Sequence, residues 1–271
     1  MNHGRGAIPA HFFFCEEDCP CRPVKISRVT TFKQRLAAIE ERIEEACARA
    51  GRARREVRLM AVSKAHPASA IEEAVEAGVT LFGENRVQEF ERKRSELESF
   101  GVHVEALSQS VEVHMIGHLQ SNKSAKAVEI FSAIDTVDSL RLAERLNEAA
   151  ARSGRVLPVF LEIKLSGEAT KTSLDPTGQE FQEMLERVSD LSHLNVRGLM
   201  TVPPFDDNPE TARSCFRRLR ELRDELAGRH PKLDLAELSM GMSGDFEIAI
   251  EEGSTLVRIG TALFGARQAL A

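Results

Sequence analysis

A chain of 271 residues, 42% hydrophobic and 29% charged, has material for one sizeable core and the composition of an ordinary soluble domain. Its formal net charge of −6 and pI near 5.8 leave no broad basic face, which argues against electrostatic capture of nucleic acid or of an anionic membrane. With neither tyrosine nor tryptophan, the chain has no phenol to offer as a catalytic acid or base.

Residues 1–28 scatter His, Gly and Pro without periodicity and read as a flexible N-terminal extension. Its AIPAHFFFC segment runs directly into Glu16, Glu17 and Asp18, unlike a signal peptide, and no apolar run approaches the roughly 18 residues of a membrane helix. Cys15, Cys19 and Cys21 have a spacing open to a metal or a disulfide, but the preferred reading is a poorly ordered tail with no assigned role. Cys47 and Cys215 fall on apolar faces of predicted helices as small buried thiols, which suits a reducing cytoplasm.

Residues 29–271 read as one domain. Thr30 or Thr31 caps a helix with Phe32, Leu36, Ile39, Ile43 and Cys47 in one apolar stripe. Apolar runs then recur at 57–63 (VRLMAVS), 79–83 (VTLFG), 113–117 (VHMIG), 131–137 (FSAIDTV), 157–165 (LPVFLEIKL), 196–202 (VRGLMTV), 235–240 (LAELSM) and 255–260 (TLVRIG). Helical signals separate them, such as Ser139 leading Leu140, Ala143 and Leu146 towards Gly154, or Asn208 and Pro209 leading Ala212, Phe216, Leu219 and Leu226. Near-continuous apolar strands alternating with helices predict a parallel sheet, and eight such units predict a (β/α)8 TIM barrel. An open doubly wound sheet is second choice, since no strand runs into a G-x-G-x-x-G turn. Residues 91–112 read as a helix and a surface loop.

A barrel of this kind works at the carboxyl ends of its strands. The first run stops on Lys64. The next ends in Gly83, Glu84 and Asn85, and later ones in His118 and Gln120, near Asp135 and Asp138, at Lys164 and Ser166, and at Met200 and Thr201. The last two, GMSGD (241–245) and RIGT (258–261), are Gly and Ser/Thr turns opening helices, where a barrel commonly holds phosphate. Gly241 and Gly260 would let backbone approach a ligand, and Ser243 and Thr261 offer hydroxyls. Either loop alone is most simply a helix cap; together they favour a bound anion.

A lysine at an apolar mouth loses solvation, which frees its amine to condense with an aldehyde. Lysine, phosphate cradle and arginine together suggest pyridoxal 5'-phosphate, with the aldehyde on Lys64 and the phosphate on the Ser243 and Thr261 loops. Arg258 shares a strand face with Gly260 and could reach the pyridine nitrogen. A permanently charged donor there keeps that nitrogen unprotonated and weakens the ring as an electron sink.

At these residues the chain resembles the pyridoxal phosphate homeostasis protein family, relatives of the N-terminal barrel of alanine racemase. The stretches that carry the resemblance are AVSKAHPASAIEEAVEAG, FGENRVQE, HMIGHLQSNK, LEIKLSGEATK, RGLMTV and LSMGMSGDFEIAIEEGSTLVRIGTALFGAR, across about 57–267. The resemblance implies one (β/α)8 domain carrying the cofactor as an internal aldimine on Lys64. It further implies Arg258 at the pyridine nitrogen, Ser243, Gly260 and Thr261 at the phosphate, and Asn85 and Met200 around the ring. The chain departs from the family's pattern at Arg86, where tyrosine is usual, at His118 and at Lys164; Arg86 and Lys164 are expected to be solvated.

The expected function is a carrier and regulator of intracellular pyridoxal phosphate with little or no catalysis, releasing the cofactor when an incoming amine, such as an amino acid, replaces Lys64. The alternative is an amino-acid racemase, for which His118 is the candidate second base, because the family's tyrosine comes from a separate domain that this chain, ending at Ala271, lacks. A phosphate-binding barrel without the cofactor would leave Lys64 unexplained. Neither a metal nor a nucleic-acid or membrane partner is expected, and losing the racemase's second domain favours a monomer.

Overall fold

The computed structural model describes residues 30–102, 111–165, 173–204 and 206–265. The predicted extension over 1–28 with its three cysteines lies outside these residues, as do Ser166 and Arg267, and all elements below fall in the unit Thr31–Ala271. Thr31 opens α1 (Phe32–Arg49). Its hydroxyl accepts from the Gln34 N–H at 3.3 Å while the Gln34 side chain accepts from the Thr31 N–H at 3.0 Å, so two donors of the first turn are satisfied reciprocally. Phe32, Ile39, Ile43 and Cys47 are buried along the predicted stripe, with Leu36 packed beside them.

Eight strands follow near the predicted positions: β1 (Arg58–Val62), β2 (Leu81–Glu84), β3 (Glu112–Met115), β4 (Ala133–Val137), β5 (Leu157–Glu162), β6 (Leu194–Met200), β7 (Glu237–Ser239) and β8 (Leu256–Ile259). Each pairs in parallel with the next, and β8 closes on β1 with Leu256 opposite Arg58 and Ile259 opposite Ala61. Closure leaves no sheet edge, so the (β/α)8 barrel stands and the open sheet does not.

The chain returns between strands through α2 (Ala68–Glu76), α3 (Val87–Ser99), α4 (Ser124–Ile130), α5 (Leu140–Arg152), α6 (Gln179–Val188), α7 (Pro209–Arg229) and α8 (Phe246–Glu251), with α9 (Thr261–Phe264) after β8. Ser139 caps α5 and Asn208 caps α7, with Pro209 in its first turn, as read from the sequence. The segment 91–112 resolves into most of α3 and the first residue of β3, with 103–110 outside the described residues. Cys47 and Cys215 are buried free thiols, and burial pushes both up from the ordinary thiol value.

Two apolar layers hold the fold. The larger lies between sheet and helices and includes Phe82, Phe90, Phe131 and Val257; the smaller fills the barrel with Met60, Leu81, Phe160, Met200 and Leu256. Each fully buried side chain of this size contributes about 1.5–3 kcal/mol. Gly83 is a tight point of the interior, since a Cβ there would stand 2.7 Å from Met60 Sδ and 2.8 Å from Ile116 Cδ1. Strand side chains alternate between layers, so the inner parity set by Leu256 carries Arg258 inward, while Lys64, Asn85 and Gly260 follow just past the ends of β1, β2 and β8.

Candidate functional site

Lys64 occupies a tight turn. The His66 N–H donates to the Ser63 carbonyl at 3.0 Å, which makes Lys64 and Ala65 the two central residues. Ala65 has φ of 60°, alone among the described non-glycine residues in the left-handed region, where Gly or Asn would ordinarily stand. His66 stacks on Phe264 with ring centroids 5.0 Å apart, and Phe264 meets Phe32 at 5.2 Å, so the Lys64 turn packs against α9 and α1. Arg35 of α1 also donates to the Leu263 carbonyl, tying α9 down.

Beneath this turn lies a buried charge cluster. Lys93 of α3, only 6% exposed, donates from Nζ to the Ser63 carbonyl at 3.0 Å and to Glu84 Oε1 at 2.8 Å, and pairs with Glu89 Oε1 at 2.8 Å. Ser63 donates its hydroxyl to Glu84 at 2.7 Å, and Glu89 accepts the Ala65 N–H at 2.7 Å. Burial pushes the fully buried Glu84 carboxyl up, and the Lys93 ammonium draws it back part of the way. Burial also acts to raise Glu89, but the bonds from Lys93 and the Ala65 N–H outweigh it and hold that carboxyl below its ordinary value.

Arg258 is held inside the mouth. Its Nη1 donates to the Ser239 carbonyl at 2.7 Å and to Ser239 Oγ at 2.8 Å, and its Nη2 donates to the Thr201 carbonyl at 2.9 Å. Burial lowers its pKa, against the charges of Asp135, Asp245 and Glu162. The polar chain continues downward, with Ser239 Oγ 3.4 Å from Asp135 Oδ2 and Asp135 Oδ1 2.9 Å from His114 Nδ1. Asp135 therefore sits within the barrel instead of near its mouth, and it links the arginine to a histidine on β3.

The β7 and β8 loops meet. Ser243 Oγ accepts from the Ala262 N–H at 3.4 Å, which joins the two expected phosphate turns. The helices they open are short, and the one after GMSGD is capped by Asp245 without a side-chain hydrogen bond. The two glycines differ. Gly241 has φ of 95° and a Cβ there would lie 2.6 Å from Ala249 Cβ, so the fold itself demands it; at Gly260 the nearest contact would be an ordinary 3.5 Å to Val62. Packing does not explain Gly260.

The opposite rim is acidic. His118, exposed, bonds Asp138 Oδ2 through Nδ1 at 3.0 Å, and Glu162 accepts from Ser173 at 3.3 Å. Burial and the charge of Asp138 push Glu162 up to about 7, with Ser173, Arg258 and His118 opposing. Burial would lower His114, but Asp135 and Glu112 raise it from 6.5 to about 9. Both groups therefore bind protons more tightly folded than unfolded, and both lose stabilising effect as pH rises: Glu162 from about 4.5 through about 7, His114 from about 6.5 through about 9. Urea midpoints should fall in two steps between pH 5 and 9; Glu162→Gln should flatten the lower step and His114→Asn the upper. Midpoints that stay level across that range in the parent protein would contradict the assignment.

Lys64, Asn85, Met200, Arg258 and Gly260 lie at or just past the carboxyl ends of β1, β2, β6 and β8, with Ser243 and Thr261 on the joined loops after β7 and β8. The register from Val62 opposite Gly83 brings Asn85 level with Lys64, and Met200 lies beside Glu162 and Ser239. Asn85 Oδ1 is buried without a hydrogen-bond partner. Arg86 is exposed as expected, whereas Lys164 is half-buried and its N–H donates to the Leu174 carbonyl at 2.9 Å. Sequence reasoning missed Lys93, Glu89 and His114.

The sequence profile described as "Alanine racemase, N-terminal domain" matches residues 34–268. A pyridoxal phosphate homeostasis protein of Aquifex aeolicus is 42% identical over 235 residues, covering 87% of this chain and 98% of the relative. PipY of Synechococcus elongatus PCC7942, solved with PLP bound, is 40% identical with a TM-score of 0.75, covering 87% of this chain and all of PipY. Alanine racemase of Clostridium difficile 630 shares the fold at 18% identity and a TM-score of 0.62, with 86% of this chain matched to 56% of the racemase.

Proposed function

The chain belongs to the pyridoxal phosphate homeostasis protein family, built on the N-terminal domain of alanine racemase, and from that premise we propose that it carries pyridoxal 5'-phosphate on Lys64 as an intracellular reservoir of the cofactor, not as an enzyme. One juxtaposition supports this reading: Lys64 follows β1, and the strand paired with it, β8, carries the buried Arg258 and runs into Gly260, which packing does not require. The fit of the residues to the cofactor is supported by the open side of Gly260, which a Cβ would fill, and by the buried, partnerless Asn85 Oδ1.

When bound, pyridoxal phosphate supplies an aldehyde that condenses with an amine, and a ring that can draw electrons from carbon attached to that amine. Lys64 would be the amine that holds the aldehyde, Ser243 and Thr261 with the Gly260 backbone would hold the phosphate, and Asn85 and Met200 would flank the ring. Arg258, fixed by Ser239 and Thr201, would face the ring nitrogen, and because a guanidinium gives up no proton at neutral pH it would leave that nitrogen unprotonated and the ring a weak electron sink. Lys64 would release the cofactor to an incoming amine. The same proposal makes residues 29–271 the cofactor domain, the molecule a monomer and its location the cytoplasm.

A racemase is the second reading, favoured only by the His118–Asp138 pair and the proton-retaining Glu162 on the rim. The chain has no tyrosine to serve as the opposing base. The test is the visible spectrum of wild type beside Lys64→Ala, with chiral analysis of alanine after long incubation. A yellow band in wild type alone, and no loss of optical purity, is the expected result. A colourless wild type after incubation with the cofactor contradicts carriage, and turnover abolished by Lys64→Ala contradicts the absence of catalysis.

A further inference from the structure

We infer that Glu89 and Lys93 are positioning residues for Lys64: from α3 they grip the backbone on both sides of it and hold its turn in a left-handed form that alanine resists. The inference rests on the proposed role of Lys64 for what is positioned, and on the structure alone for the grip. Lys93 takes the carbonyl of Ser63, the residue before Lys64, and Glu89 takes the N–H of Ala65, the residue after it. The two side chains bond each other at 2.8 Å, and Glu84 anchors Lys93 from β2, so the grip is fixed to the barrel wall.

A merely structural ion pair would not need these two backbone partners. Lys93 already has two carboxylates, yet its third proton goes to a carbonyl at the reactive turn. Ala65 supplies the independent observation. A β-carbon at φ of 60° is strained, and such strain persists only where surrounding contacts over-determine it. The Glu89 carboxylate, accepting from that residue's own N–H, is the contact able to do so. The backbone that carries Lys64 is thereby fixed on both sides, while the Nζ of a second lysine close by is committed to Ser63, Glu84 and Glu89.

Two readouts on the full chain test this. Hydrogen exchange of the cofactor-free protein, read on a peptide spanning 63–66, should quicken about tenfold in Glu89→Ala as the Ala65 N–H loses its acceptor. The rate at which borohydride traps pyridoxal phosphate on the Lys64 peptide should fall about tenfold in the same variant, because a misplaced amine attacks less often. Trapping on the exposed Lys232 should not change. Glu89→Gln, which retains an acceptor oxygen, should restore most of both losses. Ala65→Gly should shrink the effect of Glu89→Ala, since glycine adopts this backbone unaided.

Unchanged exchange in Glu89→Ala overturns the grip, and faster exchange with unchanged trapping overturns positioning. A wild type that traps nothing on Lys64 removes the proposed function instead, and exchange then still judges the grip.

Discussion

Lys93→Met is expected to destabilise the barrel by about 3–5 kcal/mol at pH 7, the cost of leaving a buried carboxylate without its cation. Glu84 is fully buried, receives bonds from Lys93 and Ser63, and already has one oxygen, Oε2, without a partner. Without the ammonium only a hydroxyl opposes the push of burial, so the carboxyl must fold protonated or fold unsatisfied. The direction with pH follows. Glu84 raised still further binds its proton more tightly folded than unfolded, so the penalty shrinks as pH falls towards 5 and grows as it rises. Urea denaturation at the two pH values measures this, and Glu84→Leu added to Lys93→Met should recover much of the loss. A single variant within 1 kcal/mol of wild type would mean that the cluster holds little energy.

Arg258→Leu is the second large change. The guanidinium satisfies the carbonyls of Ser239 and Thr201 and lies in the field of Asp135, Asp245 and Glu162. Leucine leaves the Thr201 carbonyl open, the Ser239 carbonyl with only the Thr201 N–H, and the carboxylates without a central cation, at a cost of roughly 3–5 kcal/mol. Cofactor retention should fall with it, by at least tenfold on the loss of one charge-assisted hydrogen bond. Arg258→Lys keeps charge but not the fork that spans two strands, so it should fold better than leucine while retaining cofactor poorly. Thermal melting and equilibrium dialysis against pyridoxal phosphate separate the two effects. Full retention in Arg258→Leu would remove the arginine from the ring nitrogen.

Much of the barrel was legible because its strands are buried on both faces and so appear as unbroken apolar runs, bounded by capped helices. The inward face of a strand was legible by the same physics: an alternation of two carries Leu256 to the buried Arg258. The Lys93 cluster was not, because α3 is mostly polar and its buried face is thin. Val87, Phe90 and Leu97 are buried, and the slot between Phe90 and Leu97 on that face is occupied by Lys93. A lysine in an apolar slot, with Glu84 ending the preceding strand, was the available signal. His114 and Asp135 were hidden inside runs read as strands, where a polar residue directed into the barrel looks like one directed at its mouth. Gly241 resembled a ligand-approach glycine, but only the packing of α8 against it reveals that the fold demands it.

The most direct test of the central claim is borohydride reduction of the pyridoxal phosphate-loaded protein followed by peptide mapping. The cofactor should be fixed on the peptide containing Lys64 at near one equivalent, and Lys93, which bonds the Ser63 carbonyl, and Lys164, after β5, should be recovered unmodified. Cofactor spread over several lysines, or concentrated on one other than Lys64, would contradict the assignment of the barrel mouth as its site.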